Sequence, residues 1–478
     1  MTLVRKIAYN TVVSTGARLI GVALSLISIG LIARYLGNDG FGTYSLVFAF
    51  LYIFDSLADL GLYSLLVREI SKSDVDEKKV VSNIFTIRIV ALLVFIGIAA
   101  IVVWFFPYSI EVKIGTLIAG ASFLFLSMGQ VLMGIFQKYL RTDKSALADV
   151  VARIVQLLLV IICVKIGVGF YAVISVLVVT GFINFLLLII FARKYIKFSL
   201  EFDFPYWKQI IRTTFPIAVS LVFTLVYFKI DSVFLSLPMI NRYSPNLMFD
   251  VGIYGIAYKI LEGLIFFPAM FVGLIMPLLS NSAFIDNERF KKVFQKTLDI
   301  LVIFIVPLLI GLSMLSLPIV VLVGGNNFIA SAPILNILAL AVGLIFLGNL
   351  FGSSIIALNK QKTCAWIYFM GMIFNVVTNL IFIPKYRYIG AALTTTATEL
   401  LVTVAMIILI YKTIHYLPKF RIIRPLIAGA IMAGFLYLFN GWNVFLLVGG
   451  GLIIYSIVLY LIGGIKKDEV RLLTKKEI

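Results

Sequence analysis

Ile7–Ala33 reads IAYNTVVSTGARLIGVALSLISIGLIA, an apolar run that follows Arg5 and Lys6. At about 1.5 Å rise per residue, some 20 helical residues cross a hydrocarbon core about 30 Å thick. The run is too long for the apolar region of a signal peptide and holds no small-residue cleavage site, so it reads as a retained span. Working outward, the pattern recurs about fourteen times. The spans fall near 8–33, 42–67, 82–106, 114–137, 146–166, 169–192, 213–237, 251–281, 297–317, 332–357, 364–383, 389–411, 425–439 and 443–464. Composition agrees, with 62% hydrophobic residues, 13% charged and a mean hydropathy of +1.11. The fold class is all-α, a polytopic membrane protein with no room for a soluble domain. Its function must be carried out inside, or across, the membrane.

A formal net charge of +18 suggests nucleic acid until the placement of charge is read. About 29 of the 40 basic residues gather in alternate loops: Arg5/Lys6, Arg68 to Lys79, Lys138 to Lys144, Arg193 to Arg212, Arg289 to Lys296, Lys360/Lys362, Lys412 to Arg424 and the tail from Lys466. The opposite side holds about 6, namely Arg34, Lys113, Lys165, Arg242, Lys385 and Arg387. The positive-inside rule places both termini in the cytoplasm of a multi-pass cell-membrane protein. Anionic inner-leaflet lipid, not nucleic acid, is the partner this charge implies.

The longest polar connection, Arg193 to Arg212, carries Phe198, Phe202, Phe204, Tyr206 and Trp207 and reads as a segment in the cytoplasmic interface. It follows the sixth span, where a six-plus-six duplication would join. Gly42-Thr43-Tyr44 echoes Gly252-Ile253-Tyr254, and Gly169-Phe170-Tyr171-Ala172 echoes Ile389-Gly390-Ala391-Ala392. The expected organisation is therefore 1–192 as one six-helix half, 193–212 as linker, 213–413 as the second half, and 414–478 as two further spans with a basic tail. Even-numbered halves share one orientation, as in parallel repeats about an axis along the membrane normal.

Soluble-enzyme chemistry finds no foothold. There is no GK[ST] tripeptide and hence no Walker A loop. Asp74-Val75-Asp76 sits in the charge run with Glu77, Lys78 and Lys79 and reads as solvated. His415, the lone histidine, cannot build a multi-histidine metal site. Cys163 and Cys364 both fall inside spans and read as apolar filler. External connections are short, the longest being Pro238 to Asp250 and Pro318 to Ser331, which argues against a membrane glycosyltransferase, polymerase or ligase. The chain reads as a carrier and not an enzyme, with no cofactor.

What remains are ionisable residues within spans, each costly in lipid and so a functional candidate. Arg18 belongs to a stripe of Asn10, Ser14, Arg18, Gly21, Ser25 and Ser28 on one helical face, which should look at a cavity or another helix. Tyr52, Asp55 and Asp59 share a face of the second span, and Asp231 lies with Ser220, Thr224 and Tyr227 on the seventh, Lys229 pointing elsewhere. Tyr254, Tyr258 and Glu262 line the eighth, where Lys259 and Glu262 can pair, and Glu399 sits between Thr395 and Thr403. Each admits an interhelical pair or a transport role. Arg88, Asp149, Arg153 and Asp299 lie nearer span ends and read as structural. Central charge of both signs suits a substrate with anionic groups, since the guanidinium fork binds phosphate bidentately, and buried carboxylates can take up a coupling cation. Pro216, Pro268, Pro277 and Pro307 can bend the spans that hold them.

Several blocks carry a family likeness: Ile32-Ala33-Arg34-Tyr35-Leu36-Gly37, Gly40-Phe41-Gly42-Thr43-Tyr44-Ser45-Leu46 and Asp59-Leu60-Gly61-Leu62, then Phe136-Gln137, Pro268, Pro277-Leu278-Leu279-Ser280, Asn375, Asn379, Pro384 and Gly390-Ala391-Ala392 with Glu399. In these the chain resembles the O-antigen and polysaccharide flippases of the multidrug/oligosaccharidyl-lipid/polysaccharide exporter superfamily. The resemblance implies two six-helix lobes around a central cavity, open to one side at a time. It implies movement of a polyprenyl-linked oligosaccharide to the outer leaflet, coupled to protons or sodium. A peptidoglycan-precursor lipid flippase, or a drug/cation antiporter of the same superfamily, would share the fold. Arg18, Lys229 and Lys259 count against the cation-collecting cavity of the antiporter.

Overall fold

The computed structural model describes residues 3–72 and 75–464, and their side chains apart from those of 3–12, 64, 216, 217, 220, 221, 284 and 285. The side chains of Arg5, Lys6, Asn10, Pro216 and Ser220, together with Asp74 and the tail from Lys466, lie outside the described residues. The described residues are helical and contain no strand. By packing they form two compact units, the first ending at Gly255 and the second beginning at Ile256.

The first unit holds α1 (Leu3–Asp59), α2 (Leu62–Ile70), α3 (Glu77–Val102), α4 (Ile110–Lys138), α5 (Thr142–Ile166), α6 (Gly169–Ala192), α7 (Phe204–Leu235) and the start of α8 (Leu247–Ile285). The second holds the remainder of α8, then α9 (Asn287–Met314), α10 (Ser316–Gly324), α11 (Ala332–Ala357), α12 (Gln361–Ile414), α13 (Ile423–Leu438) and α14 (Val444–Leu461). Ten helices among the described residues are long and apolar enough to cross a membrane.

Two of the ten are far longer than one crossing, and both are broken. Helix α1 loses helical geometry at Gly37, whose φ of 67° and ψ of −173° only glycine adopts readily. Helix α12 breaks at Arg387, with φ 54° and ψ −131°. Its two segments run back on each other, since Asn375 Nδ2 donates to Thr398 Oγ1 at 3.4 Å and a Cβ on Gly371 would meet Val402 at 2.7 Å. The turn is tight enough that a Cβ on Gly390 would sit 2.4 Å from the Phe382 carbonyl oxygen. His415 closes α12 in the left-handed region, its N–H reaching the Tyr411 carbonyl at 2.8 Å.

Two segments differ from the sequence expectation. The second span, expected to run unbroken from 42 to 67, stops at Asp59, because Leu60 and Gly61 both take positive φ and a separate α2 begins at Leu62. Pro318 to Ser331, expected as a loop, is mostly α10 followed by a 3₁₀ turn over Asn326–Ser331. Pro318 falls in the first turn of α10, where the missing N–H would have no intrahelical partner anyway.

The connection from α6 to α7 is seated on α3 by side chains. Ser82 Oγ, Thr86 Oγ1 and Asn83 Oδ1 accept the backbone N–H groups of Ser199, Glu201 and Asp203, at 3.0–3.2 Å. Alternate residues are caught because an extended chain turns every second N–H the same way. Lys79 bonds Asp203 at 2.8 Å and so holds that carboxyl below its usual range, while Asp203 caps α7 by accepting from the Tyr206 N–H. Beneath it, Ile196 and Ile210 enter a buried cluster with Leu66, Val81, Ile84 and Phe136.

The tightest helix contact in the first unit joins α1 and α8. A Cβ on Gly42 would lie 1.9 Å from the Met248 carbonyl oxygen, and one on Gly252 would lie 2.2 Å from that of Asn38. A Cβ on Gly255 would meet Ser45 Oγ at 2.6 Å. In lipid, where burying apolar surface between helices gains little, such backbone approach is what packs them. Gly42→Ala and Gly252→Ala should each cost about 1–3 kcal/mol through overpacking. Gly97→Ala, which meets nothing within 4 Å, should be neutral. Thermal unfolding of the purified proteins checks this; equal midpoints for all three variants would contradict the contact.

Candidate functional site

The polar stripe of α1 looks at a helix over part of its length. Ser14 Oγ donates to Thr142 Oγ1 at 2.8 Å, and Gly21 lies against the Asp149–Arg153 pair of α5, itself joined at 2.9 Å. Arg18 is exposed and within electrostatic reach of Tyr63, whose hydroxyl donates to Gln137 Oε1 at 2.7 Å.

Deeper in the first unit, charge is gathered around Arg88. This side chain is 1% exposed, with Nη1 2.8 Å from Asp59 Oδ1 and Nη2 3.9 Å from Asp55 Oδ1. Asp55 also accepts from the Ser127 hydroxyl, and Gln130 Oε1 accepts from Arg88 Nη2 at 3.4 Å. One turn before Asp55 on α1, the Tyr52 ring carries Lys229 Nζ at 4.7 Å from its centre. Thus Asp59, Arg88, Asp55, Tyr52 and Lys229 form a continuous polar run across α1, α3 and α7, flanked by Ser127 and Gln130 of α4. Two cations and two carboxylates in one helix bundle make a site that a proton, a cation or an anionic group can unbalance. Asp231, fully buried, accepts from the Tyr254 hydroxyl at 2.7 Å.

In the second unit, Lys259 and Glu262 pair at 2.7 Å, as their spacing predicts. Glu399 is buried in α12 among Thr395, Thr398 and Thr403, near Tyr368. Beside it Asn379 Nδ2 donates to Asn375 Oδ1 at 3.0 Å.

The structure therefore brings Asp55 and Lys229 into one run, places Arg18 and Asp231 elsewhere in the same unit, and puts Lys259, Glu262 and Glu399 in the other. Sequence reasoning gave Arg88 a structural place near a span end and did not connect it to Asp55. The signal was present: Asp55 and Asp59 are four apart on one face and need a shared cation. Asn83 gave no signal at all, since asparagine near a helix start is ordinary.

Helices of this length and apolarity make the chain a multi-pass membrane protein. Its fold is that of the lipid II flippase MurJ in an inward closed conformation, at TM-score 0.77 and 17% identity, covering 95% of this chain and 99% of that one. It is also that of an inward-facing multidrug resistance MATE family transporter of the MOP superfamily, at TM-score 0.64 and 13% identity over 84% and 98%. The family model described as polysaccharide biosynthesis protein matches residues 7–283, and the chain belongs to that family. Among curated proteins it is similar to the probable low-salt glycan biosynthesis flippase Agl15 of Haloferax volcanii, 23% identical over 447 residues, covering 89% of this chain and 88% of that protein.

Removing Arg88 would leave Asp55 and Asp59 without the cation that joins them. Arg88→Ala should cost roughly 3–5 kcal/mol. Arg153→Ala, which breaks a partly exposed pair, should cost about 1 kcal/mol or less. Unfolding midpoints in one detergent decide it. Equal losses would show that the Arg88 cluster is solvated like the α5 pair.

Proposed function

We propose that this protein is a non-enzymatic flippase, moving a polyprenyl-(pyro)phosphate-linked oligosaccharide from the cytoplasmic to the outer leaflet of the cell membrane by alternating access. The observation that carries the reading is charge of both signs buried among membrane-length helices in a chain of the polysaccharide biosynthesis family, Arg88 between Asp55 and Asp59 with Lys229 close by. Burying ions in a bundle costs several kcal/mol each, an expense a passive anchor has no use for. A lipid-linked glycan as the substrate class is supported by the similarity, along nearly the whole chain, to Agl15, named a probable low-salt glycan biosynthesis flippase.

In this reading the chain crosses fourteen times. Helices α1 and α12 each supply two crossings, divided at Gly37 and Arg387, and α7 and α13 add to the rest. Residues 1–192 and 213–413 are the repeated lobes around a central cavity, 193–212 the cytoplasmic linker, and 414–478 two added spans with a basic tail. Arg18 takes the substrate phosphate. Asp55, Lys229, Asp231, Lys259, Glu262 and Glu399 are its cavity partners or the groups that take up a coupling proton or sodium ion.

Orientation is testable by itself. An impermeant thiol reagent applied outside the cell should label a cysteine introduced at Ser244 and leave one at Ser199 untouched. Labelling at Ser199 would reverse the topology.

The substrate role of Arg18 is tested by glycan export in cells lacking their own flippase, at matched membrane abundance. A charge-assisted phosphate contact is worth roughly 1.5–3 kcal/mol, so Arg18→Ala should weaken binding about tenfold to a hundredfold. Arg18→Lys should recover part of that, keeping charge but losing the fork. Normal export by Arg18→Ala would move the phosphate contact elsewhere. Rescue of peptidoglycan synthesis or cation efflux, with no glycan export by the native chain, would move the substrate class.

A further inference from the structure

The first three turns of α7 present a face on which Phe204, Lys208, Ile211, Arg212 and Phe215 are exposed and Trp207 is half-buried. Phe204, Trp207, Lys208, Ile211, Arg212 and Phe215 recur at helical spacing and line an open groove of about 570 Å³. Phe204 is 66% exposed and Phe215 61%. Large rings standing open in this way suit hydrocarbon, not water.

The groove also has a fixed floor. The Trp207 indole N–H donates to Asn83 Oδ1 at 2.9 Å, and Asn83 is fully buried on α3. Phe204 packs edge-on to the same indole, with ring centres 5.2 Å apart. An indole held at both its N–H and its ring is a preset surface, not a side chain drifting at the interface.

Charge selects the occupant. Lys208 and Arg212 are four residues apart on this face, and neither has an acidic partner among the described residues. The nearby carboxylates are already engaged, Asp203 by Lys79 at 2.8 Å and Glu201 by Asn83 Nδ2 at 3.2 Å. A zwitterionic lipid would fill the apolar groove but bring each phosphate with its own cation.

We infer that this groove is a binding site for one anionic phospholipid of the bilayer, its phosphodiester between Lys208 and Arg212 and its acyl chains along Phe204, Ile211 and Phe215. The inference needs only that α7 meets a bilayer, and it stands whether or not the chain carries a glycolipid.

The test uses the full chain in phosphatidylcholine nanodiscs, with Trp104, Trp366 and Trp442 changed to Phe so that Trp207 alone reports. Phosphatidylglycerol brominated on its acyl chains should quench Trp207 more than brominated phosphatidylcholine at the same mole fraction. Each cation near a membrane surface contributes about fivefold to the preference, so Lys208→Gln with Arg212→Gln should lower it roughly twenty- to thirtyfold, while Lys208→Arg keeps it. Both sites are exposed, and an unchanged unfolding midpoint confirms that the double variant is folded. Equal quenching by the two lipids, or a preference that survives the double substitution, would overturn the inference. Displacement of phosphatidylglycerol by equimolar polyprenyl phosphate would do so too, because the groove would then belong to the carrier lipid.

Discussion

Where α1 meets α8, backbone touches backbone, and only the absent side chains of Gly42, Gly252 and Gly255 allow it. The contact is reciprocal. Gly42 meets Met248 as Gly252 meets Asn38, where Gly252 and Met248 lie 210 positions after Gly42 and Asn38, and Ser45 meets Gly255, 210 positions after it. Around it the helices are fixed by polar bonds, Asn246 to Asp39 at 2.9 Å and Tyr254 to Asp231 at 2.7 Å. The buried charges depend on the same frame, because α1 carries Tyr52, Asp55 and Asp59 about three to five turns beyond Gly42.

Charge placement divides by depth. At the loop ends, ion pairs such as Arg68–Glu69 and Lys291–Glu288 stand partly in the open and contribute little. Arg88 belongs to another regime, since it is almost wholly enclosed and its cost is met only by two carboxylates together. That balance is sensitive. Neutralising either Asp55 or Asp59 changes the net charge of an enclosed cluster, whereas the same event at Glu288 changes little. A group able to bias packing must sit where the dielectric is low, and this cluster does.

Much of the fold was legible because lipid forces every backbone group to bond internally, so apolar length alone announces helices. The sixth span shows it: 169–192 in sequence is Gly169–Ala192 in structure. The misreadings occur where one residue's φ decides. Leu60-Gly61 breaks the second span and Pro318 sits in the first turn of a helix, and neither changes local hydropathy. The two glycine echoes also had different causes. Gly42 and Gly252 do the same work, but Gly169 is needed for a φ of 81° and Gly390 for a close carbonyl. For the site, same-helix relations were readable, Lys259 with Glu262 and Asp149 with Arg153. Arg88 with Asp55 and Lys229 with Tyr52 join different helices, and hydropathy carries no register between helices.

The linker shows how little freedom a polar loop can keep. Composition reads 193–212 as an interfacial linker, and Ser82, Asn83 and Thr86 hold its backbone at three alternate residues, while Ile196 and Ile210 anchor its two ends in the apolar cluster. Asn83 alone engages Lys79, Glu201, Asp203 and Trp207. A segment held at both ends and in the middle cannot supply slack for a moving carrier. The weak places in the backbone lie elsewhere: Gly37 in α1, Arg387 in α12, and α8, where Pro268 and Pro277 each remove a donor from the helical ladder. Those prolines are nine positions apart, so the stretch between them keeps its own bonds and can tilt as a short rod about two weakened turns. The backbone is thus weaker inside α8 than at the polar connection.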